Sequence, residues 1–311
     1  MRKINLTTIV LLVFVITVLP CSSAEIEKKT ITLSGAWAIY PTAVAWADAF
    51  QKKNPDIKID ISAGGAGKGA ADTIAGLVDI GMVSREPDPA EIEKGIIPIY
   101  ILHDAVFPIV SIKNPNIQKI INEGMKKVDF QKLYLSETGA NWSDIYKNGL
   151  NKKVHVYTRS DSCGAAAAWA SYLGKKQEDL KGIGVYGDPG LIEAVKRDPL
   201  AIGYTNFGYV YDRSGKVISG IKIVPIDINE DGKIDAWEKC NDRENAIKII
   251  NEGKYPASRK NYFFVKGKPS GAVKRFIEFA LSDEGSAIVN EIVTSIPISK
   301  EERMQILKKI Q

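Results

Sequence analysis

Strand-like and helix-like segments alternate along most of this chain, and that alternation restricts the fold more than any other feature. Residues 30–34 and 57–62 have strand patterns, and a segment with an amphipathic helix pattern, residues 42–53, separates them. Similar alternation continues to about residue 293. Repeated β–α units predict open α/β sheets with helices on both faces. We therefore predict the α/β fold class, with each sheet flanked by helices.

One apolar run is long enough to connect two packing units. Residues 99–112 are almost all apolar and rich in β-branched side chains, which predicts a strand that leaves one unit and enters another. A second β-branched strand, residues 221–226, could return to the first unit. We therefore predict two interleaved lobes: residues 25–107 and 220–311 form lobe 1, and residues 108–219 form lobe 2.

The first residues indicate export. Arg2 and Lys3 precede an apolar stretch, residues 8–19, that is too short to span a bilayer comfortably, and small residues and charges follow it. Cleavage after Ala24 would make residues 1–24 a signal peptide. Alternatively, residues 18–21 resemble a bacterial lipobox, so that residues 1–20 would be a lipoprotein signal and Cys21 would carry lipid. An uncleaved signal anchor is a third alternative. We expect the protein in the periplasm or at the outer face of the cell membrane.

Composition excludes several classes of protein. The chain is 45% hydrophobic with only 3 Cys, which excludes a disordered chain or a disulfide scaffold. Loss of Arg2 and Lys3 with the leader would lower the net charge from +5 to +3, too little and too scattered to predict a nucleic-acid partner. Cys163 and Cys240 could pair or remain free thiols.

Small, polar or basic residues follow several predicted strands. In open α/β sheets ligands bind beyond the carboxyl ends of strands, where helix N-termini present free N–H groups. Arg159 has the charge and geometry to bind an oxyanion, and Ser84 and Arg85 add a hydroxyl and a second guanidinium. The glycine-rich loop is not a P-loop, because Lys68 is followed by Gly69. The junctions are residues 34–41, 62–69, 83–86 and 158–164.

Taken in order, these junctions, with residues 201–204 and 252–256, resemble the phosphate-binding proteins of bacterial ABC importers. The resemblance covers residues 30–298. It implies a two-lobed periplasmic-binding-protein fold of type II, with the ligand clamped at the hinge. It also implies a monomeric, non-enzymatic protein that captures phosphate or a related oxyanion and delivers it to the permease of an ABC importer.

The resemblance also implies which residues bind the ligand. Ile39 and Tyr40 would bind chiefly through backbone N–H groups. This chain has Ile39, Ala66, Cys163 and Ala165 where the family usually has hydroxyl residues, and Arg85 where its best-known members have an acidic acceptor. The ligand could therefore be a different small anion. The implied ligand-binding residues are Ile39, Tyr40, Ala66, Ser84, Arg85, Arg159, Ser162, Cys163, Gly164 and Ala165.

A calcium-type loop is the strongest local motif in the chain. Residues 227–238 match the EF-hand calcium loop, with oxygen ligands at positions 1, 3, 5, 9 and 12 and glycine at position 6. A strand pattern and not a helix precedes the loop, and the sequence has no second calcium loop to pair with it. We therefore expect a stabilising calcium ion and not a switch. An acidic surface turn is the alternative. The predicted ligands are Asp227, Asn229, Asp231, the Lys233 carbonyl, Asp235 and Glu238.

Cys163 leaves a different class of function open. It lies at a predicted helix N-terminus, where thiolates are favoured, and His155 on the preceding strand could be its base. A secreted enzyme that uses Cys163, or a surface module with no role in transport, therefore remains an alternative to a binding protein.

Overall fold

The computed structural model describes residues 30–292 and 294–310. The predicted leader, its cleavage site and the lipidation of Cys21 lie outside these residues. Within the described ranges, no helix is both long and apolar enough to cross a membrane.

The first lobe begins with alternating strands and helices, as the sequence pattern predicts. Pro41 stands in the first turn of its first helix, where the missing N–H group costs no hydrogen bond. The elements are β1 (Thr30–Gly35), α1 (Tyr40–Lys53), β2 (Lys58–Ala63), α2 (Ala66–Ile74), β3 (Ile80–Val83) and α3 (Pro89–Glu93), followed by the long strand β4 (Ile96–Ser111).

The second lobe contains shorter elements and two single 3₁₀ turns. Its elements are α4 (Ile117–Glu123), α5 (Lys127–Tyr134), α6 (Trp142–Ile145), β5 (His155–Arg159), α7 (Gly164–Tyr172), a 3₁₀ turn (Gln177–Asp179), β6 (Ile183–Val185), α8 (Gly187–Arg197), β7 (Ala201–Asn206), α9 (Phe207–Val210), β8 (Ile221–Ile223), a second 3₁₀ turn (Ala236–Glu238) and α10 (Arg243–Asn251).

The chain then returns to the first lobe and ends there. The returning elements are β9 (Ser258–Lys266), α11 (Gly271–Ala280), α12 (Asp283–Ile292), β10 (Ile296–Pro297) and α13 (Lys300–Ile310). Strand order is β2-β1-β3-β9-β4-β7-β5-β6, with β8 and β10 also paired to β4. β1 is parallel to β2 and β3, and β5 is parallel to β6 and β7, whereas β9 is antiparallel to both of its neighbours.

Two hydrophobic cores confirm that the long apolar run, which lies in β4, connects two packing units. Ile99 and Leu102, in the first half of β4, belong to the core that contains Trp46. Val106 and Ile109, further along the same strand, belong to the core that contains Trp169. β4 therefore passes from one lobe to the other within a few residues.

The predicted return to lobe 1 at residue 220 is wrong. β8 pairs with Ile109–Ser111 at the second-lobe end of β4, and Ile226 and Ile249 lie in the second core. The chain returns only through β9, since Ala257 belongs to the second core and Tyr262 to the first. A short β-branched strand is apolar in either sheet, so its composition does not reveal its pairing partner. The calcium-type loop therefore belongs to the second lobe.

Candidate anion-binding cleft

Loops from the two lobes touch where the resemblance places the ligand. The N–H of Gly67, in the first turn of α2, donates to the carbonyl of Ser162 at 3.1 Å. A Cβ atom on Gly164 would lie 2.0 Å from the carbonyl oxygen of Ser84 and 2.2 Å from its hydroxyl. The glycine loop, the end of β3 and the N-terminus of α7 therefore meet closely, and the lobes are closed on each other.

Arg159 lies at this meeting point and its side chain is 1% exposed. It is the last residue of β5, and its backbone N–H donates to the Tyr204 hydroxyl at 3.2 Å. Its Nε and Nη2 donate to the two carboxylate oxygens of Asp161 at 2.7 and 2.6 Å, and its Nη1 donates to Asp188 at 2.7 Å. The guanidinium is thus held in a fixed position by two buried carboxylates.

Asp188 is fully buried at the start of α8 and has a partner on each oxygen. Oδ1 accepts from the Thr205 hydroxyl and the Asn206 N–H, both at 2.9 Å, and Oδ2 accepts from the Asn206 amide at 2.9 Å. Burial alone would lower the pKa of Arg159, but the charges of Asp188 and Asp161 outweigh it and raise that pKa. The Arg159 side chain is therefore a permanent cation within the protein.

The buried polar network continues to the strands that connect the lobes. Arg259, on β9, pairs with Asp104 of β4 at 2.7 Å and also donates to the side-chain oxygen of Asn206 and to the carbonyl of Gly164. The complete burial of Asp104 raises its carboxyl pKa, although the Arg259 charge opposes this shift. The network therefore links the hinge strands to the first residue of α7.

Sequence reasoning missed Asp104, Asp188, Asn206 and Arg259. Asp104 was visible as the one carboxylate inside the apolar run that became β4, and such a residue needs a buried partner. Asp188 resembles an ordinary first-turn acid of α8, and nothing local distinguishes Arg259 from a surface arginine on a strand.

Of the backbone N–H groups that the resemblance implies as ligands, some already have a hydrogen-bond acceptor within the protein and others do not. The N–H groups of Ile39 and Tyr40 both donate to the carbonyl of Ala36 at 3.1 Å, within the turn before α1. By contrast, no residue of 30–292 or 294–310 accepts a hydrogen bond from the N–H of Gly164 or Ala165. The N-terminus of α7 thus has two donors beside Arg159.

The remaining predicted ligands differ in their surroundings. Ala66 and Cys163 are buried at the N-termini of α2 and α7, while Ser162 is exposed. Ser84 is buried against Gly164. Arg85 does not join Arg159, because its guanidinium pairs with Glu91 at 2.6 and 3.0 Å.

Arg85 lies instead on a groove between the lobes. The groove has a volume of about 260 Å³ and brings Arg85 and Glu86 of the first lobe beside Ala167 and Ala168 of α7. Glu91 holds Arg85 from the first turn of α3, where Asp88 caps the helix. Arg85 therefore faces the outer part of the boundary between the lobes.

The proposed pairing of Cys163 with His155 is wrong. His155 begins β5, four residues before Arg159, and its Nδ1 lies 2.7 Å from Asp198. The Cys163 sulfur accepts from the N–H of Ala166 at 3.4 Å, and burial raises the pKa of its thiol to about 11. A thiol without a base and with a raised pKa is a poor nucleophile. Cys163 and Cys240 are both buried free thiols and do not pair.

The calcium-type loop packs on the second lobe, apart from the Arg159 cluster. Met125 and Ile226 form a parallel bridge at the start of the loop, and the carboxylate of Glu238 accepts from the N–H groups of Ile228 and Asp235 at 2.8 and 2.9 Å. In the ranges 30–292 and 294–310, no three His, Cys, Asp or Glu side chains converge as a set of metal ligands.

Comparison with known proteins agrees with this architecture. A family model described as the PBP superfamily domain matches residues 22–284. The chain belongs to the PBP superfamily. The phosphate-binding protein PstS of Bacillus subtilis (strain 168) is 27% identical over 288 residues, which cover 89% of this chain and 84% of that protein.

Solved structures of PBP proteins show the same fold. A putative phosphate ABC transporter substrate-binding protein with bound phosphate, from Clostridium perfringens, matches with a TM-score of 0.72 and 25% identity, over 87% of this chain and all of that one. An ABC-type phosphate transport receptor from Vibrio cholerae matches with a TM-score of 0.63 and 19% identity, over 86% of this chain and all of that one. The predicted type II periplasmic-binding-protein fold is therefore confirmed.

Proposed function

We propose that this protein is an extracytoplasmic solute-binding protein that captures phosphate between its lobes and delivers it to the permease of an ABC importer. The observation that carries the proposal is the position of Arg159, buried where loops of both lobes meet and beside the N-terminus of α7. The Bacillus subtilis and Clostridium perfringens relatives, both named for phosphate, support the choice of ligand.

Backbone groups would supply most of the hydrogen bonds to the anion. The N–H groups of Gly164 and Ala165 lie at the positive end of α7, and Arg159 adds a charge of fixed direction. The hydroxyls absent at Ile39, Ala66, Cys163 and Ala165 would each contribute on the order of 1 kcal/mol to binding. We therefore expect weaker phosphate binding than in relatives that retain those hydroxyls.

The charge of the buried cluster favours an anion that carries a proton. Arg159 is bracketed by Asp161 and Asp188, so the three side chains together have a net negative charge. An anionic ligand must therefore be held mainly by neutral donors. A ligand with a hydroxyl that can donate to a carboxylate binds better there than a ligand without one. Hydrogen phosphate carries such a proton at neutral pH and sulfate does not. We propose that the site prefers phosphate to sulfate.

Binding and release would require the lobes to separate and close. β4 and β9 connect the lobes, and Gly164 of the second lobe lies close against Ser84 of the first. Opening about these two strands would admit the ligand, and closure would bury it beside Arg159. The hydrogen bonds of Arg259 to Asn206 and Gly164 support a hinge that positions α7.

The leader supports a site of action outside the cytoplasm. Residues 1–24 would direct export, and a lipid on Cys21 would keep the binding protein at the membrane near its permease. A binding protein for a different small anion is the second candidate, favoured by the absence of hydroxyls at Ile39, Ala66, Cys163 and Ala165. An enzyme using Cys163 is disfavoured by the raised pKa of its thiol.

Isothermal titration with phosphate, sulfate and molybdate tests the proposal. The mature protein is first freed of bound anion by unfolding, dialysis and refolding, with circular dichroism as a check of the refolded state. We expect saturable binding of phosphate in a 1:1 complex and weaker binding of sulfate. Binding of another anion with no heat for phosphate would favour the second candidate. No heat with any of the three anions across a range of pH would refute an oxyanion site.

A further inference from the structure

The calcium-type loop, residues 227–238, has no part in the cleft and contains an unexplained buried charge. It follows β8 and ends in the 3₁₀ turn that contains Glu238. Asp227, its first residue, is 2% exposed and Glu238, its last, is 1% exposed. Full burial of two carboxylates in a surface loop is unusual unless they are paired or bind a cation.

The backbone of the loop already brings the first and last ligands to the same turn. Gly232, with a φ of +87°, donates its N–H to Oδ2 of Asp227 at 2.8 Å. Glu238 accepts from the N–H of Ile228 at 2.8 Å with one oxygen and from the N–H of Asp235 at 2.9 Å with the other. The carboxylates of Asp227 and Glu238 are therefore both turned toward the loop's own backbone.

The second oxygen of Asp227 is the independent observation that indicates a ligand. Oδ1 is buried and has no hydrogen-bond partner, whereas Oδ2 of the same carboxylate faces the middle of the loop at Gly232. The ammonium of Lys126 lies 3.8 Å from Oδ2 and donates to the carbonyl of Glu230 at 2.9 Å. A buried carboxylate oxygen without a donor is costly, and a metal cation inside the loop would satisfy it.

We propose that residues 227–238 bind one calcium ion. The ligands are all oxygens: Asp227, Asn229, Asp231, the Lys233 carbonyl and both oxygens of Glu238, with Asp235 directly or through water. Oxygen ligands alone select a hard cation and not zinc, and a site of six or more oxygens in a flexible loop suits calcium better than magnesium.

Binding requires local rearrangement of exposed side chains. Asn229 and Asp231 each accept from a backbone N–H two residues ahead, at 3.1 and 2.9 Å, and Asp235 accepts from the Trp237 indole at 3.2 Å. The contacts of Asn229 and Asp231 are at the surface and that of Asp235 is partly buried. All three would be exchanged for the ion, while the buried carboxylates keep their places. Lys126 competes with the ion for the same negative potential.

The position of the loop indicates what the ion would do. The N–H of Asp227 donates to the carbonyl of Met125, and the Ile234 side chain packs against Gly124. On the other side, the side chain of Asn245, in α10, donates to the carbonyl of Lys239. An ion in the loop would therefore stabilise the contact between the start of α5 and α10, and with it the second lobe.

Calcium binding is tested on the mature protein in a buffer without phosphate. Calcium is titrated calorimetrically up to about 10 mM, ten times the weakest dissociation constant typical of extracellular calcium modules. Thermal unfolding is followed with calcium and with chelator, and terbium luminescence excited through Trp237 reports occupancy of the loop directly. We expect one site, a Tm at least about 2 °C higher with calcium, and displacement of terbium by calcium.

Matched variants locate the site. Asp231→Ala removes an exposed ligand without disturbing a buried group, and it should weaken calcium binding at least 10-fold. Asp212→Asn, in an exposed turn of the same lobe where the carboxylate also accepts backbone N–H groups, should leave calcium binding unchanged. Lys126→Gln should tighten binding, because it removes the competing cation.

Two results would overturn the proposal. One is an unchanged Tm with no calorimetric or terbium signal up to about 10 mM calcium. The other is binding that Asp231→Ala and Asp212→Asn affect equally, which would place the ion elsewhere. Phosphate titration of the same variants is independent of both results, so failure of this site leaves the proposed function untouched.

Discussion

The Nη1 atom of Arg159 lies 2.7 Å from Oδ2 of Asp188, and both side chains are almost completely buried. Asp188 is itself held by the side chains of Thr205 and Asn206, which end β7. The guanidinium is consequently fixed by a strand of the second lobe and not by the ligand it would bind. Such preorganisation reduces the entropy that a ligand loses on binding.

Replacement of Asp188 tests this relationship. Asp188→Asn keeps the volume but leaves Arg159 with only Asp161 as a charge partner, so we expect the free energy of unfolding to fall by about 3 kcal/mol, the lower end for breaking a buried ion pair. Urea denaturation measures the change. Glu193→Gln, which breaks an exposed pair with Lys196 on the same helix, should change the free energy of unfolding far less, because solvent screens that pair. Equal stability of the two variants would contradict a structural role for Asp188.

Closure of the lobes can be blocked at Gly164. The Cβ atom of Gly164→Ala would lie 2.0 Å from the Ser84 carbonyl, so the closed cleft cannot form without a shift of backbone. We expect phosphate affinity to fall at least 10-fold and the radius of gyration measured by X-ray scattering with phosphate to stay that of an open form. Gly190→Ala, where the Cβ would meet only a methyl of Val185 at 3.2 Å, is the control. Normal affinity and compaction in Gly164→Ala would show that the contact is not needed.

The buried thiol of Cys163 should be chemically inert. Burial raises its pKa to about 11 from an ordinary value of 9.0, so near pH 8 the thiolate should be about 100-fold scarcer than that of an exposed cysteine. Labelling with iodoacetamide, followed by mass spectrometry, should modify Cys163 far more slowly than an exposed thiol introduced by Ser214→Cys. Similar labelling rates at the two positions would contradict the raised pKa.

The same shift makes stability depend on pH in the alkaline range. The pKa of the Cys163 thiol is higher in the folded than in the unfolded protein. Its contribution to the free energy of unfolding is therefore fully present below pH 9 and is lost as pH rises from 9 toward 11. The free energy of unfolding should therefore fall in this window by at most about 1.4 kcal/mol per pH unit through this group. Cys163→Ala should flatten the slope, and an identical slope in the variant would refute the assignment.

The general architecture could be predicted from the sequence because it depends on local patterns. The hydrophobic periodicity alternates between that of a strand and that of a helix, and it predicts β1, α1 and β2 within a few residues of their observed bounds. The unusual length of the apolar run at residues 99–112 identifies β4 as the strand that passes between the lobes. The N-terminus of α7 at Gly164 was also predicted. These features depend on residues that are neighbours in the chain.

The partners of buried charges could not be predicted in the same way. Arg159 and Asp188 are 29 residues apart, and Arg259 and Asp104 are 155 apart, so no periodicity relates them. The return strand was misplaced for a similar reason, because the β-branched pattern of β8 is compatible with either sheet. Arg85 appeared equivalent to Arg159 in the sequence, and only the position of Glu91 shows that its charge is used elsewhere.

If Arg159 holds an anion in the cleft, calorimetric titration of phosphate into Arg159→Ala will show the loss of that ligand contact. Arg159→Lys, which keeps a charge, and circular dichroism of both variants distinguish lost binding from lost folding. We expect phosphate affinity to fall at least about 100-fold in Arg159→Ala, as for removal of a buried charged donor, and less than about 10-fold in Arg85→Ala. Wild-type affinity in a folded Arg159→Ala protein would show that Arg159 does not bind the anion.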